Sequence, residues 1–319
     1  MLQRRQPRVA VLGGGSWGTA VASIVADSAP TKLWARSAKV AEDIDTKHRN
    51  ARYLGDIELT KSLRATHDME RAVADADVLV MGVPSHGFRE ALEHAAPYLR
   101  PWIPVVSLVK GLEQSTDHRM TEIVAEVLSG HPAGVLAGPN IASEVVVGYA
   151  AAATIAMPDQ NSAHKLAELF RTERFRIYST TDVLGVEVAG ALKNVFAIAA
   201  GMGDGAGAGY NTKAMVVTRA VHEMTRFGET LGGDPKTFTG LAGIGDLFVT
   251  CTSPASRNRQ VGEELGKGKT IEEVLAGMNQ VAEGVKAVSV VMEMATRPRD
   301  PRGGLVSTHA LTDRGEVGT

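Results

Sequence analysis

The chain has 319 residues, 44% hydrophobic and 22% charged, a balance that suits about two folded domains and excludes a disordered or fibrous protein. Lys and Arg total 34 against 36 Asp and Glu, a formal charge of −2 with no block of one sign, so no nucleic-acid footprint is expected. The single cysteine, Cys251, excludes an internal disulfide and fits a reducing compartment.

The apolar run 145–157 falls short of the ~20 residues of a spanning helix, and Arg4, Arg5 and Arg8 lead into a strand pattern rather than an export signal. A cytoplasmic enzyme without a membrane span is the expectation.

In chain order, Val9-Ala10-Val11-Leu12 is a short β-branched run ending in glycines, the pattern of a buried strand. Residues 19–26 read as a helix closed by the breaker at 27–30, and 31–35 as a second strand. Further strands are predicted at 78–83, 105–109, 135–137, 151–157 and 175–178, with helical patterns at 87–96 and 120–128 between some of them. This alternation predicts an α/β fold with a doubly wound parallel sheet.

After Tyr178 the texture turns helical. Thr181 or Asp182 can cap a helix that includes 186–200. From Asn211, the positions Val217, Val221, Met224, Gly228 and Leu231 share one 3.6-period face, and Gly232-Gly233 stop it. Thr270 to Glu273 form a capping box. The expected division is a nucleotide-binding domain at 1–183 and an all-helical substrate domain at 184–319. Helical periodicity ends near Ala295, and the segment from Arg297, with Pro298 and Pro301, is expected to be poorly ordered.

Gly13-Gly14-Gly15-Ser16-Trp17-Gly18 matches G-x-G-x-x-G between a strand and a helix, the context in which the pattern reports a dinucleotide site. Gly13 permits the turn, Gly15 the approach of a pyrophosphate and Gly18 close helix–strand packing. The second strand ends in Arg36-Ser37 rather than a carboxylate. A guanidinium and a hydroxyl suit a ribose 2′-phosphate, so NADPH is preferred with NADH possible, unless Arg36 is an ordinary solvated arginine.

Substrate chemistry is expected beyond the strands' carboxyl ends, in the loops at 83–85, Lys110-Gly111 and Gly138-Pro139-Asn140. Lys110 can polarise a substrate oxygen or simply snorkel from a strand end. Lys193 lies in an otherwise small and apolar helix, sharing a face with Gly190, Asn194 and Ala197. Desolvation and a neighbouring cation both lower a lysine's pKa, which suits proton exchange; the alternative is a snorkelling lysine or one paired with Glu187. Asp246, Thr250 and Ser256-Arg257-Asn258-Arg259 form a third constellation, read as anion donors or as a polar surface loop. Cys251 reads as a small buried residue and His86 as a loop histidine without a carboxylate to orient it. No His or carboxylate cluster has metal-ligand spacing, so no metal is expected.

Taken in order, Gly-Gly-Gly-Ser-Trp-Gly-Thr-Ala at 13–20, Val-Pro-Ser-His at 83–86, Lys-Gly-Leu-Glu at 110–113, Gly-Pro-Asn-Ile-Ala at 138–142 and Gly-Ala-Leu-Lys-Asn-Val at 190–195 resemble one family. Gly-Asp-Leu at 245–247, Thr-Cys-Thr-Ser at 250–253, Ser-Arg-Asn-Arg at 256–259 and Val-Ala-Glu-Gly at 281–284 complete the set. The chain resembles the bacterial NAD(P)-dependent glycerol-3-phosphate dehydrogenases over roughly residues 8–295.

The resemblance implies a Rossmann-type domain followed by a helical one, reversible reduction of dihydroxyacetone phosphate to sn-glycerol 3-phosphate for phospholipid synthesis, and a homodimer. It implies Lys193 as proton donor/acceptor, with Lys110 touching both substrate and cofactor and Asp246 beside them. Gly138, Asn140, Lys193, Asn194, Asp246, Ser256, Arg257 and Asn258 match substrate positions. Ser16, Trp17, Arg36, Lys110, Ala142, Arg257, Val281 and Glu283 match cofactor positions. Asn140 stands where many members carry Ser or Thr, and the residues from Arg297 depart from the family's longer helical end. The rival readings are another NADPH-linked reductase of the same plan, such as a 3-hydroxyacid dehydrogenase, and a catalytically weak NADPH-binding protein.

Overall fold

The computed structural model describes residues 5–278 and 283–296. Val281 and the segment from Arg297 lie outside the described residues. The first half runs β1 (Val9–Leu12), α1 (Ser16–Ala26), β2 (Thr31–Trp34), α2 (Ala38–Lys47), α3 (Ala51–Leu54), β3 (Arg64–Thr66), α4 (Met69–Val73), β4 (Val78–Met81), α5 (Phe88–Ala95), β5 (Val105–Ser107), α6 (Met120–Val127) and β6 (Ala133–Ala137). It continues through α7 (Ala142–Val146), β7 (Ala151–Ala156), α8 (Gln160–Phe170) and β8 (Phe175–Thr180). The rest is α9 (Val183–Gly205), α10 (Tyr210–Leu231), α11 (Pro235–Phe238), α12 (Asp246–Thr252), α13 (Arg257–Gly266), α14 (Ile271–Ala276) and α15 (Glu283–Thr296), with a π-helical turn at Leu241–Gly245.

The strands form one eight-stranded sheet in the order β3-β2-β1-β4-β5-β6-β7-β8. Alternation along β1 shows why it is sandwiched. Val9 and Val11 enter one apolar cluster with Val21, Val25 and Leu33, whereas Ala10 and Leu12 enter another with Leu79, Met81 and Phe88. With both faces covered by helices, each buried Val or Leu contributes about 1.5–3 kcal/mol.

The sheet departs from the expected all-parallel form at one junction: β6 and β7 are antiparallel, Val135 opposite Ala156 and Ala137 opposite Thr154. A parallel return requires a crossover that spans the sheet. The connection from β6 contains only the five-residue α7, about 7 Å long, which packs on α1. The chain therefore turns back at the edge it has just reached.

This reversal positions the rest of the molecule. Because β8 is parallel to β7, it ends at the opposite edge, and α9 must climb back along the sheet. The ten residue steps of helix from Val183 to Lys193 rise about 15 Å, close to the height of a five-residue strand. On the way Val186 packs against Val135, Ala137 and Ala156. Lys193 and Asn194 are thereby delivered to the carboxyl edge of β5 and β6.

Asp182 starts α9, its Oδ1 accepting from Gly185 N at 2.9 Å, while Oδ2 accepts from Asp234 N and Thr237 Oγ1 at 3.0 and 2.6 Å. The helix is longer than its apolar centre suggested. Its length and mean hydropathy of 1.6 would suffice to cross a bilayer, although 72% of that stretch is buried inside the protein. It is the axis on which α10, α12, α13 and α15 pack. Beyond β8 no strand occurs among the described residues. The predicted stop of α10 is present, with Gly232 in the left-handed region at φ 98°, as is the Thr270–Glu273 capping box on α14.

Candidate active site

The turn after β1 has the form its glycines imply. Gly13 adopts φ 124°, and a Cβ there would lie 2.6 Å from the carbonyl carbon and oxygen of Gly82, so no other residue fits. A Cβ on Gly18 would collide with the Gly13 carbonyl oxygen, whereas the space beside Gly15 is open. No side chain caps α1 at Gly15, which leaves the first N–H groups of the helix for an anion. Ser16 Oγ donates to the Tyr53 carbonyl at 3.1 Å. Trp17 packs edge-on against Phe175 and joins the cluster that includes Ala142, its indole N–H buried without a partner.

Asn50, which carried no sequence signal, fastens this turn by donating to Gly14 O at 2.9 Å and Thr19 Oγ1 at 2.8 Å. Its reach of 36 residues is invisible to any local pattern. At the end of β2, Arg36 is exposed. Ser37 Oγ accepts from Val40 N at 3.4 Å as the cap of α2. His86, in the loop after β4, has its pKa lowered by burial and then by the charges of Lys286 and Arg36.

The strongest constellation lies beyond β5 and β6. Asp246, at the start of α12 and 2% exposed, is held by two lysines. Lys193 Nζ is 2.8 Å from Oδ1 and Lys110 Nζ 2.6 Å from Oδ2. The Lys110 contact to Oδ2 is an ion pair. Lys110 also donates to Gly138 O at 2.8 Å, and Lys193 to Thr250 Oγ1 at 2.7 Å. The Thr250 hydroxyl in turn donates to the Asp246 carbonyl at 2.6 Å. Its i, i+4 spacing from Asp246 on one helix is the signal that could have assigned it this role.

Lys110 has its pKa lowered to about 8. Burial is the main cause, and the positive charge of Lys193 adds to it, while Asp246 and Glu283 act in the opposite sense. Burial also raises the pKa of Glu283, against the pull of Arg257, Lys193, Lys110 and Lys286. The same carboxylate thus feels cations from both halves of the chain.

Several predicted site residues have structural work. Ser256 Oγ caps α13 by accepting from Arg259 N at 3.3 Å. Asn258 Nδ2 donates to Asn194 Oδ1 at 2.9 Å, and its oxygen accepts from Gly284 N at 2.9 Å, joining α9, α13 and α15. Asn194 Nδ2 donates to the Lys110 carbonyl at 2.8 Å. Arg257, the first residue of α13, is exposed. In the amide orientation that satisfies its neighbours, Asn140 donates to the carbonyls of Pro139 and Ala152 at 3.2 and 3.3 Å. Glu187 does not pair with Lys193; its buried carboxylate accepts from Arg119. Cys251 is buried, which pushes its thiol up to about 11. Among the described residues no group of three or more His, Cys, Asp and Glu side chains is placed to hold a metal ion.

A glycine turn at the head of a mainly parallel sheet, with ammonium groups gathered at the same edge and a helical domain behind them, defines a two-domain, dinucleotide-dependent oxidoreductase. Residues 8–163 match the family model of the NAD-dependent glycerol-3-phosphate dehydrogenase N-terminus, and residues 182–300 that of its C-terminus. The chain is 65% identical over 294 residues to the glycerol-3-phosphate dehydrogenase NAD(P)+ of Mycobacterium avium, covering 92% of this chain and 86% of that protein. It is 55% identical to one from Sphingopyxis alaskensis, covering 91% and 87%. The crystal structure of the glycerol-3-phosphate dehydrogenase of Coxiella burnetii aligns with TM-score 0.86 at 33% identity, covering 91% of this chain and 89% of that one. The chain belongs to the NAD-dependent glycerol-3-phosphate dehydrogenase family.

Proposed function

We infer that this chain reduces dihydroxyacetone phosphate reversibly to sn-glycerol 3-phosphate. The observation that carries the reading is the pair of lysines on Asp246, Lys193 buried and Lys110 largely so, beside a dinucleotide turn in a chain of this family. A bound nicotinamide dinucleotide supplies the hydride. Hydride addition to a ketone leaves negative charge on oxygen, and ammonium groups fixed in a water-poor site stabilise that charge without reorganising. Lys193 delivers the proton, and Thr250 holds the hydrogen-bonding direction of its Nζ. Lys110 faces the same oxygen, and Asp246 Oδ2 accepts from a substrate hydroxyl. Arg257, Asn258, Ser256 and the start of α13 receive the phosphate, with Gly138, Asn140 and Asn194 lining the substrate's side.

The same reading assigns Gly13, Gly15, Ser16, Trp17, Gly18 and Ala142 to the pyrophosphate side, Arg36 to the adenosine ribose, and Arg257, Val281 and Glu283 to the cofactor's far end. NADPH is preferred over NADH because Arg36 and Lys286 place positive charge near His86 while no carboxylate closes β2. The open space at Gly15 and the uncapped start of α1 support the fit of a dinucleotide. Residues 1–183 form the cofactor domain and 184–319 the substrate domain, in keeping with a sheet that ends at Thr180. A cytoplasmic homodimer that uses no metal completes the proposal. The test is NADPH oxidation by the purified protein with dihydroxyacetone phosphate. Oxidation that depends on this substrate supports the reading, and its absence in folded protein rejects it.

A further inference from the structure

Glu187 is a buried carboxylate that the proposed chemistry does not use, its side chain 4% exposed. It lies on α9 two turns before Asn194, and among the described residues its hydrogen-bond partners come from the other half of the chain. Oε2 accepts from Arg119 Nη1 at 2.9 Å and Thr121 Oγ1 at 2.6 Å, and Oε1 accepts from Thr121 N at 2.9 Å. Arg119 and Thr121 stand where the loop that begins at Lys110 runs into α6.

That loop is closed on itself. Leu112 and Arg119 form an antiparallel bridge, Glu113 N donates to His118 O at 2.9 Å, and Asp117 turns the tip with φ 61°. Arg89 grips Glu113 with two hydrogen bonds, at 2.9 and 2.8 Å. Whatever holds Arg119 therefore holds Leu112, two residues from Lys110.

One stripe of α9 meets this loop at successive turns. Asn194 Nδ2 donates to the Lys110 carbonyl, a Cβ on Gly190 would sit 3.6 Å from Lys110 Cβ and Cγ, and Ala191 packs on Leu112. Glu187 provides the ionic contact of that stripe. Positions 187, 190, 191 and 194 fall on one helical face, with Lys193 beside it.

From this geometry we propose that Glu187 is a positioning residue: it fixes the register of α9 on the Lys110 loop and so sets how Lys193 and Lys110 converge on Asp246. The proposal rests on the dihydroxyacetone phosphate reductase reading. Misplacement of a catalytic group by 1 Å can cost about 10²-fold in rate. Glu187→Gln keeps the side chain's shape and removes its charge. We expect it to lower kcat for dihydroxyacetone phosphate reduction by about 10- to 100-fold while KM for NADPH stays within about threefold.

Arg119→Met, which leaves α9 intact, should do the same, Arg119→Lys should recover part of the rate, and the double variant should be no slower than the slower single. Wild-type protein is assayed first: without substrate-dependent NADPH oxidation it is the functional reading that fails. With wild-type activity present, folded Glu187→Gln and Arg119→Met proteins with kcat within about twofold of wild type overturn the positioning role, as do losses that multiply in the double variant or a change confined to KM. If Glu187→Gln does not fold, Arg119→Met and Arg119→Lys decide by the same criteria.

Discussion

Lys193 and Lys110 approach one carboxylate from opposite sides, 2.8 Å from Oδ1 and 2.6 Å from Oδ2 of Asp246. Lys193 comes from a helix that climbs the sheet, Lys110 from the loop after β5, and Asp246 from a third element. Two ammonium groups alone in so dry a place would repel each other strongly; one shared counter-ion makes the pair tenable and leaves the trio with net positive charge. That surplus is what a developing alkoxide needs.

Lys193→Met removes the proposed proton donor and leaves the dinucleotide turn untouched. Turnover with dihydroxyacetone phosphate should fall by about 10²–10⁴-fold, the usual contribution of a general acid. NADPH affinity, read by quenching of protein fluorescence, should change by less than about threefold, the signature of an interaction made in the transition state. Near-normal turnover would move the proton donor elsewhere.

The lowered pKa of Lys110, about 8, fixes the direction of the pH response. Below pH 8 the group is an ammonium that can face the nascent alkoxide; above it the charge is lost. Ketone reduction should therefore decline as pH rises through about 8, while oxidation of glycerol 3-phosphate, which needs a proton acceptor, should not decline over that range. Stability follows from the same shift. The folded state binds this proton less tightly than the unfolded chain, whose value is near 10.5. The cost is complete below pH 8 and fades toward 10.5, so this group's contribution to stability improves with pH across that window. Reduction rates and denaturant midpoints from pH 6.5 to 10, at constant ionic strength, check both signs.

The fold was legible wherever local chemistry decides it. The run 9–12 with its glycines, a cap at Thr181 or Asp182, Gly232 as a stop and the Thr270–Glu273 box are all local signals; all are present, the cap being Asp182. The antiparallel turn at β6–β7 was not legible, because strand direction depends on how far a connection reaches across the sheet. In the site, the residue types at 110, 193 and 246 were readable, but their convergence was not: it depends on α9 ascending from the far edge. Ser256 and Asn258 carry a further role that their donor chemistry did not announce. Ser256 caps a helix and Asn258 ties helices together, contacts set by partners the local pattern does not contain. Asn50 was missed because its partners are remote in sequence.

Asp246→Asn separates the counter-ion from the hydrogen-bonding shape. Removing one partner of a buried ionic group typically costs about 3–5 kcal/mol, so the denaturation midpoint should drop clearly. The charge of Asp246 raises the pKa of Lys110, so its loss should move the alkaline limb of the reduction profile below pH 8. A limb that stays in place or moves upward would show that another group controls it.

Arg36 closes β2 on the surface, and its charge reaches His86 together with that of Lys286. A guanidinium bonded to a phosphate is worth about 1.5–3 kcal/mol, or roughly 10- to 100-fold in affinity. The 2′-phosphate is the only group that distinguishes NADPH from NADH, so Arg36→Ala should raise KM for NADPH by that factor and leave KM for NADH within about twofold. Raising the salt concentration should weaken NADPH binding to the wild type more than to the variant, since an exposed ionic contact is screened. If both cofactors lose affinity equally, Arg36 supports the loop rather than reading the phosphate.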